Sequence, residues 1–329
     1  MTKAFHAAGT LPGDNKVTKI TLESRSQVTT GNNGVKFFFD VTYAKKDPCL
    51  HTRLFAKVPY PLVPATRSDR LSSSVNKQPQ ELYEINTSRL LEATLPVKVP
   101  RFYYGDISNE STNWILITER VPFGDREGLN FGRPALRRRG PLEPFVIEGP
   151  YDKCMDHTLR GDPWEYYMLL VVTGAKIAGM HKAGKLGGAE SLGVNFQNLA
   201  GRPAAAWGLS INSVSGDDPR TVKPKLDTAQ AFISETGSVL FPDYATAEWC
   251  ADKLRSTMLI VNGYSGELQY WKHMNDDYIA LSHTNLNVDN AYFWRDEEEN
   301  LELGVFDWGN MGATCLGQKL WWWLYCGDY

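Results

Sequence analysis

Alternating apolar and polar residues mark the first predicted strand of this chain, at Val17 to Arg25, and a β-branched and aromatic run follows at Val35 to Tyr43. Residues 26–34 between them are rich in Gly, Asn, Ser and Thr, so the two strands are predicted to form a hairpin. Further strands are predicted at Thr52 to Val58 and at Asn113 to Glu119. The first part of the chain is therefore expected to fold into a small antiparallel sheet.

Helical patterns begin within this region and dominate after it. Residues 78–92 carry apolar residues at helical spacing and predict one amphipathic helix beside the strands. Asp162 and Pro163 suit a helix N-cap and a first helical position, and the run 164–182 contains no breaker except glycine, which predicts a long buried helix. Residues 246–261 are predicted to form another helix.

The order of these elements predicts a bilobal α+β protein. At 329 residues the chain suits two domains, or two lobes of one, of roughly 150 residues each. Residues 121–150 are rich in Gly, Pro and Arg and are the expected connector, between a sheet lobe at 1–120 and a mainly helical lobe at 151–329. Residues 291–306 are predicted to add a short hairpin with a solvated acidic tip.

Composition narrows the class of protein without naming a function. A hydrophobic content of 42%, a net charge of −3 and a pI near 6.1 are ordinary for a soluble protein and give no electrostatic reason to expect a nucleic-acid partner. The five cysteines are widely spaced and lack a C-x-x-C motif, which suits a reducing intracellular compartment, the cytoplasm or an organelle interior. No apolar run reaches the ~20 residues needed to span a bilayer.

The residues with the most chemical content lie near the end of the chain. His283, position 285 and Asn290 have the His-x-Asp-x-x-x-x-Asn spacing of the catalytic loop of protein kinases, but position 285 is Asn. Asp307 follows a hydrophobic strand and precedes Trp308-Gly309, as the second metal ligand of such a site does. Hard oxygen ligands suit Mg²⁺, so Asn290 and Asp307 are the predicted metal ligands.

Asn285 stands where the spacing calls for a catalytic base. An amide can orient a hydroxyl group but cannot accept its proton at neutral pH, and general-base catalysis is typically worth ~10²–10⁴-fold in rate. Asp289 is the alternative base, four residues along the chain. His283 is predicted to have a structural role, bonding to the backbone near the metal ligands.

Lys57 is a cation within an apolar strand. Burying an unpaired charge costs several kcal/mol, so Lys57 requires a partner or a ligand. Glu84 on the following helix is the predicted partner, and Glu81 on the same helix is the alternative. A Lys–Glu pair of this kind positions nucleotide phosphates in kinases.

Two further segments would complete a nucleotide site. The loop at 26–34 would cover the phosphates, and it contains only Gly31 and Gly34, so it also fits an ordinary hairpin turn. Glu119 ends the last predicted strand of the sheet, and Val121 follows it. Their backbone groups are expected to meet the adenine base.

Together these positions resemble the aminoglycoside phosphotransferase and choline kinase-like family, whose members share the protein-kinase fold. The matching pieces span roughly residues 15–325 and are Phe55-Ala56-Lys57, Glu84 with Leu95-Pro96-Val97, Leu116 to Arg120, Ala178 to His181, His283 with Asp289-Asn290, and Asp307-Trp308. The resemblance implies ATP and Mg²⁺ as cofactors and a hydroxyl group on a small molecule as the phosphate acceptor.

Two departures from the family pattern shape the functional hypothesis. The family's catalytic Asp corresponds to Asn285. The family also continues with several helices beyond the segment that ends this chain, where residues 320–325 are strongly apolar. Either the natural chain is longer, or a protein partner covers this surface. Two hypotheses have support in the sequence, a pseudokinase acting as scaffold or assembly subunit and a small-molecule kinase working without the usual base. A third, transfer of a different part of ATP such as AMP, has no specific support.

Overall fold

A computed structural model describes residues 1–28, 34–61, 80–108, 110–123, 147–188, 192 and 218–327. The chain divides into two compact units, one formed by residues 1–200 with 280–329 and the other by residues 201–279. Most of the expected connector at 121–150 lies outside the described residues. The division into lobes at 1–120 and 151–329 therefore stays a prediction.

A five-stranded antiparallel sheet forms the first part of the larger unit, in the order β1-β2-β3-β5-β4. Its strands are β1 Val17–Val28, β2 Val35–Tyr43, β3 Arg53–Val58, β4 Phe102–Ile107 and β5 Trp114–Glu119. The predicted antiparallel sheet is confirmed. The sequence patterns missed β4, because Gly105 and Asp106 within it are poor strand formers.

The two faces of the sheet have different surroundings. One face packs against the short helix α1, Thr2–Ala7, through Phe5, and its buried side chains include Phe39, Leu54 and Ala56. Successive residues of a strand point to opposite faces. Phe55 and Lys57 of β3, which alternate with Leu54 and Ala56, therefore point to the second face of the sheet.

One helix follows β3 and packs on this second face. It runs as α2, Gln80–Asn86, and continues as a π-helical turn at Thr87–Leu91. Ile85 of α2 packs with Phe102 and Leu116 of the sheet. The single helix predicted at 78–92 is confirmed over the described residues.

The long helix α3, Pro163–Lys182, starts as predicted, because the Asp162 carboxylate accepts a hydrogen bond of 3.0 Å from the Trp164 amide. The expectation that it is buried throughout is wrong. Trp164, Met168 and Val172 are exposed, so only one side of the helix is packed. On the packed side lies α7, Leu316–Leu324, whose Trp323 ring would be 2.2 Å from a Cβ at Gly174.

Two small strand pairs carry the end of the chain. The predicted hairpin is confirmed as β7, Ala291–Arg295, paired antiparallel with β8, Leu301–Val305. Strands β6, Ile279–His283, and β9, Met311–Cys315, form the second pair. The predicted catalytic and metal-binding residues lie at the end of β6, in the segment that follows it, and in the segment that follows β8.

The described part of the smaller unit, from residue 218 onward, is helical. Its helices are α4 Pro219–Ala231, α5 Glu248–Gly263 and α6 Ser265–His273. Helix α5 confirms the helix predicted at 246–261. No helix in the described part of the chain is long and apolar enough to cross a membrane.

The predicted α+β class is confirmed by the antiparallel sheet and the helices themselves. Elements follow one another in the order that the kinase-like prediction requires, with the sheet strands and α2 first, then helices, then the hairpin that precedes Asp307. The short helix α1 was not predicted.

Candidate active site

A buried ion pair lies at the centre of the site. Lys57 Nζ donates to Glu84 Oε2 at 2.6 Å, and the two residues are only 3% and 7% exposed. Burial alone would lower the pKa of Lys57, but the attraction of Glu84 and Asp307 outweighs burial and raises it. Lys57 is therefore a fixed positive charge on the second face of the sheet, the face on which α2 packs.

Asp307 adds a second carboxylate to the same lysine. Its Oδ1 accepts from Lys57 Nζ at 3.3 Å, and its side chain is 42% exposed. The residue has a φ of +59°, in the left-handed region, as Asp tolerates at a sharp turn after a strand. Lys57 holds the pKa of Asp307 below its usual range. An ionised, partly exposed carboxylate thus faces outward beside the buried pair.

His283 organises the loop behind Asp307. Its Nε2 donates to the Phe306 carbonyl at 3.0 Å, and its Nδ1 accepts from the Asn285 amide at 3.2 Å. The ring also packs edge-on against Trp308, with centroids 4.8 Å apart. Burial lowers the pKa of His283. A neutral imidazole with both nitrogens engaged is a structural link between the two chemical segments, not a proton carrier.

Asn290 is fixed beside Asp307 by the backbone. Its Nδ2 donates to the Asn285 carbonyl at 2.7 Å, and its own carbonyl accepts from the Phe306 amide at 3.1 Å. Asn290 and Asp307 therefore flank the open end of the β7–β8 hairpin. With Nδ2 engaged, the amide oxygen remains as the donor atom for a metal.

The donor set fits Mg²⁺ in its chemistry. One carboxylate and one amide oxygen are hard ligands, and Mg²⁺ usually takes one or two protein ligands with phosphates and water. Among the described residues there is no group of three or more His, Cys, Asp or Glu side chains that could hold a metal without such help.

The Asn285 side chain is held in place. Its Oδ1 accepts from Asn287 Nδ2 at 3.1 Å, and Asn287 is fully buried, with its own Oδ1 left without a partner. The neighbourhood of Asn285 thus offers a donor to the atom that would be a carboxylate oxygen in an Asp. Nothing at this position supplies a base.

Asp289, the alternative base, is tied to a lysine. Its Oδ2 lies 3.3 Å from Lys153 Nζ, which also donates to the Tyr325 hydroxyl at 3.2 Å. Its Oδ1 is buried and has no hydrogen-bond partner. Burial raises the pKa of Asp289, and Lys153 opposes that shift.

Of the two glycines predicted to cover phosphates, Gly31 lies outside the described residues. Gly34 has a φ of +75°, and a Cβ there would lie 2.3 Å from the Val58 carbonyl oxygen and 2.9 Å from the Trp114 ring. Gly34 is thus required for the close approach of β2 to β3, whether or not a phosphate binds above it.

Glu119 and Val121, the two residues predicted to meet the adenine base, make different contacts in the structure. The Glu119 carboxylate accepts from the Arg101 amide at 2.9 Å, the Glu119 amide donates to the Arg101 carbonyl, and burial raises the pKa of the carboxyl to about 8. Its side chain therefore has a structural role. Val121 packs with Phe306 against the cluster of Ile147, Tyr292 and Trp294.

Three features of the site were missed in the sequence. Lys36 of β2 pairs directly opposite Lys57, and Phe38 pairs opposite Phe55 with ring centroids 5.9 Å apart. The guanidinium of Arg120 lies 4.1 Å from the Phe38 ring centroid. The register between β2 and β3 would have predicted the Lys36–Lys57 and Phe38–Phe55 pairs, because residues opposite each other share a face of the sheet.

Glu81, the alternative partner predicted for Lys57, is buried without a hydrogen-bonded partner. It is 1% exposed, and neither carboxylate oxygen has a hydrogen-bond partner. Burial raises the pKa of Glu81 to about 7, with Lys57 opposing and Glu84 and Asp307 adding to the shift. The two candidate partners of Lys57 therefore divide into one paired carboxylate, Glu84, and one unpaired carboxyl group.

No protein-family model matches the chain, and no curated protein sequence matches it. Among solved structures, the GDP complex of a point mutant of aminoglycoside 2'-phosphotransferase-IIIa is 11% identical over 95% of this chain and 74% of its own, with a TM-score of 0.35. The GDP complex of the wild-type enzyme gives 11%, 95%, 74% and 0.34. A GDP and kanamycin complex of APH(2")-IIia gives 11%, 91%, 69% and 0.34.

Proposed function

We propose that this chain is a nucleotide-binding, kinase-like protein of the pseudokinase type, a divergent relative of the aminoglycoside phosphotransferase and choline kinase-like family. The observation that carries the proposal is the buried Lys57–Glu84 pair, with the Asp307 carboxylate 3.3 Å from the same lysine. Kinases use this trio of charges to hold a nucleotide and its metal. Burying the Lys57–Glu84 pair removes both charges from water, which costs free energy. A role in binding therefore explains the pair better than a contribution to stability does.

Each requirement of ATP binding has a candidate residue. Lys57 would contact the phosphates, with Glu84 fixing its ammonium group. Asn290 and Asp307 would hold Mg²⁺, which neutralises phosphate charge when bound. The backbone at Glu119 and Val121 would meet the base.

Asn285 sets the expected limit on catalysis. Without a proton acceptor, phosphoryl transfer to a hydroxyl group would be slower by ~10²–10⁴-fold. A protein that binds nucleotide and transfers phosphate poorly suits a scaffold or assembly subunit, expected inside the cell in a reducing compartment. A partner would have an exposed apolar surface to cover at Leu320, Trp321 and Leu324 of α7.

An active small-molecule kinase is the second candidate, and one observation favours it. Asp289 has a buried oxygen without a partner and a raised pKa, both of which suit a general base. Turnover by the unaltered protein that is lost in Asp289→Asn would select this candidate.

Calorimetric titration of the full chain with ATP and Mg²⁺ tests the proposal. We expect binding in the micromolar to millimolar range and a loss of at least about tenfold in Asp307→Ala, because a charge-assisted contact is removed. The exposed acid Glu297 provides the control, and Glu297→Ala should bind as the unaltered protein does. Absence of binding at millimolar ATP would exclude the proposed function.

A further inference from the structure

Two lysines, Lys36 and Lys57, lie side by side on the second face of the sheet, the face on which α2 packs. In the antiparallel pairing of β2 with β3, Lys36 is directly opposite Lys57. Opposite residues share a face, and like charges in such a pair destabilise a sheet. The pairing nevertheless places two cations where the phosphates of the proposed nucleotide would lie.

The charged groups that face Lys36 come from three elements. Burial and Lys57 of β3 lower the pKa of Lys36, whereas Asp307 after β8 and Glu84 of α2 raise it. Glu81, one turn before Glu84, faces the same group of charges. Lys36 is thus a half-buried cation within the same group of charges that surrounds Lys57.

The formal charge of the site follows from these residues. Two lysines, Lys36 and Lys57, face two carboxylates, Glu84 and Asp307, so the formal charges of these four residues sum to zero. A site with Lys57 as its only lysine and an Asp at position 285 would carry two more negative charges. That difference equals the charge of one Mg²⁺ ion, which is the ion that normally offsets the carboxylates and phosphates of such a site.

We propose, on the basis of the proposed function, that Lys36 is a second polyphosphate-binding residue, and that the pair Lys36–Lys57 lets ATP bind without a divalent cation. Both ammonium groups are multiple hydrogen-bond donors and point charges suited to phosphate oxygens. Binding of the phosphates through these two ammonium groups does not require a metal ion.

The positions further along the two strands fit the other end of a nucleotide. Phe38 and Phe55 lie two residues from Lys36 and Lys57 on the same face, a distance of about 6–7 Å along a strand. Their rings and the Arg120 guanidinium over Phe38 offer stacking partners for a base. The two lysines and the two aromatic rings thus follow each other along the strands, as the phosphates and the base do in a nucleotide.

The test is a set of calorimetric titrations of the full chain with ATP, inorganic tripolyphosphate and adenosine, in Mg²⁺ or in EDTA. We expect the unaltered protein to bind ATP in EDTA with a Kd of about 1 mM or below. Lys36→Met should weaken ATP and tripolyphosphate in EDTA by at least about tenfold and leave adenosine unchanged. Lys36→Arg, which keeps the charge, should retain binding and shows that the position tolerates change.

Lys19→Met is the matched control, because Lys19 is an exposed lysine of the same sheet. If the unaltered protein binds ATP only with Mg²⁺, or if Lys36→Met binds as tightly as the control in EDTA, the inference about Lys36 is wrong and the proposed function stands. If the unaltered protein binds ATP in neither condition, the proposed function and the inference are both wrong.

Discussion

Asn285 differs from a catalytic aspartate by one amide group, and its surroundings are ready for the carboxylate. Asn287 donates to its Oδ1, and His283 accepts from its backbone amide. Both contacts would persist with an Asp at this position. The loss of a base is therefore a change of one side chain within an intact loop.

Asn285→Asp is expected to create activity. With Mg²⁺ present, ADP formation should rise by at least about 10²-fold over the unaltered protein, because a base is restored at a position already held by Asn287. Asn113→Asp makes the same chemical change at an exposed position and should leave the rate unchanged. Equal rates in Asn285→Asp and the control would mean that more than the base is missing.

Glu81 is a second residue whose protonation has a measurable consequence. Its pKa rises from 4.5 to about 7 because the carboxyl group is buried. The folded state therefore binds a proton more tightly than the unfolded state, so the contribution to stability is full below pH 4.5 and is lost as the pH rises through 7.

Glu81→Gln should remove this pH dependence. Relative to the unaltered protein, the variant should gain about 2–3 kcal/mol in free energy of unfolding between pH 5 and pH 8. Urea denaturation at the two pH values measures the difference, with the exposed Glu297→Gln as control. Stability that changes in parallel with pH in the unaltered protein and in Glu81→Gln would show that Glu81 is ionised throughout.

At the scale of elements, the site depends on how closely β2 approaches β3. Gly34 starts β2 in a left-handed conformation with the Val58 carbonyl where a Cβ would be. The pairing that it permits places Lys36 opposite Lys57 and Phe38 opposite Phe55. The geometry of the candidate nucleotide site thus begins at a residue without a side chain.

Gly34→Ala should destabilise the fold by at least about 2 kcal/mol, because both the positive φ and the contact with a backbone oxygen are unfavourable for a Cβ. Gly13→Ala is the control, since nothing lies within 4 Å of a Cβ there. Urea denaturation measures both changes. Similar stabilities of the two variants would mean that β2 moves away from Val58 without cost.

At the scale of the whole molecule, the sequence predicts local elements better than their neighbours in space. The bounds of β2 match the predicted strand, since its β-branched and aromatic run is continuous. Glu84 was predicted as the partner of Lys57, and the structure places Lys57 Nζ and Glu84 Oε2 2.6 Å apart. Their roles in binding remain predictions.

What the sequence missed depends on tertiary structure. Lys36 acquires meaning only from the register of two strands, and Glu81 only from its burial without a partner. The Glu119 side chain turns toward Arg101 because of packing between strands that no local pattern encodes. Propensity and periodicity describe one segment at a time, whereas these features belong to pairs of segments.

The separation of the central charges along the chain also sets an order in time. Lys57 and Glu84 are 27 residues apart, whereas Lys57 and Asp307 are 250 residues apart. At ~5–20 residues per second on a ribosome, roughly 12–50 seconds pass between the synthesis of the lysine and that of its second carboxylate. The nascent sheet and α2 would therefore exist first with Glu84, but not Asp307, hydrogen-bonded to Lys57, and competence to bind a nucleotide would be acquired only after Asp307 has been translated.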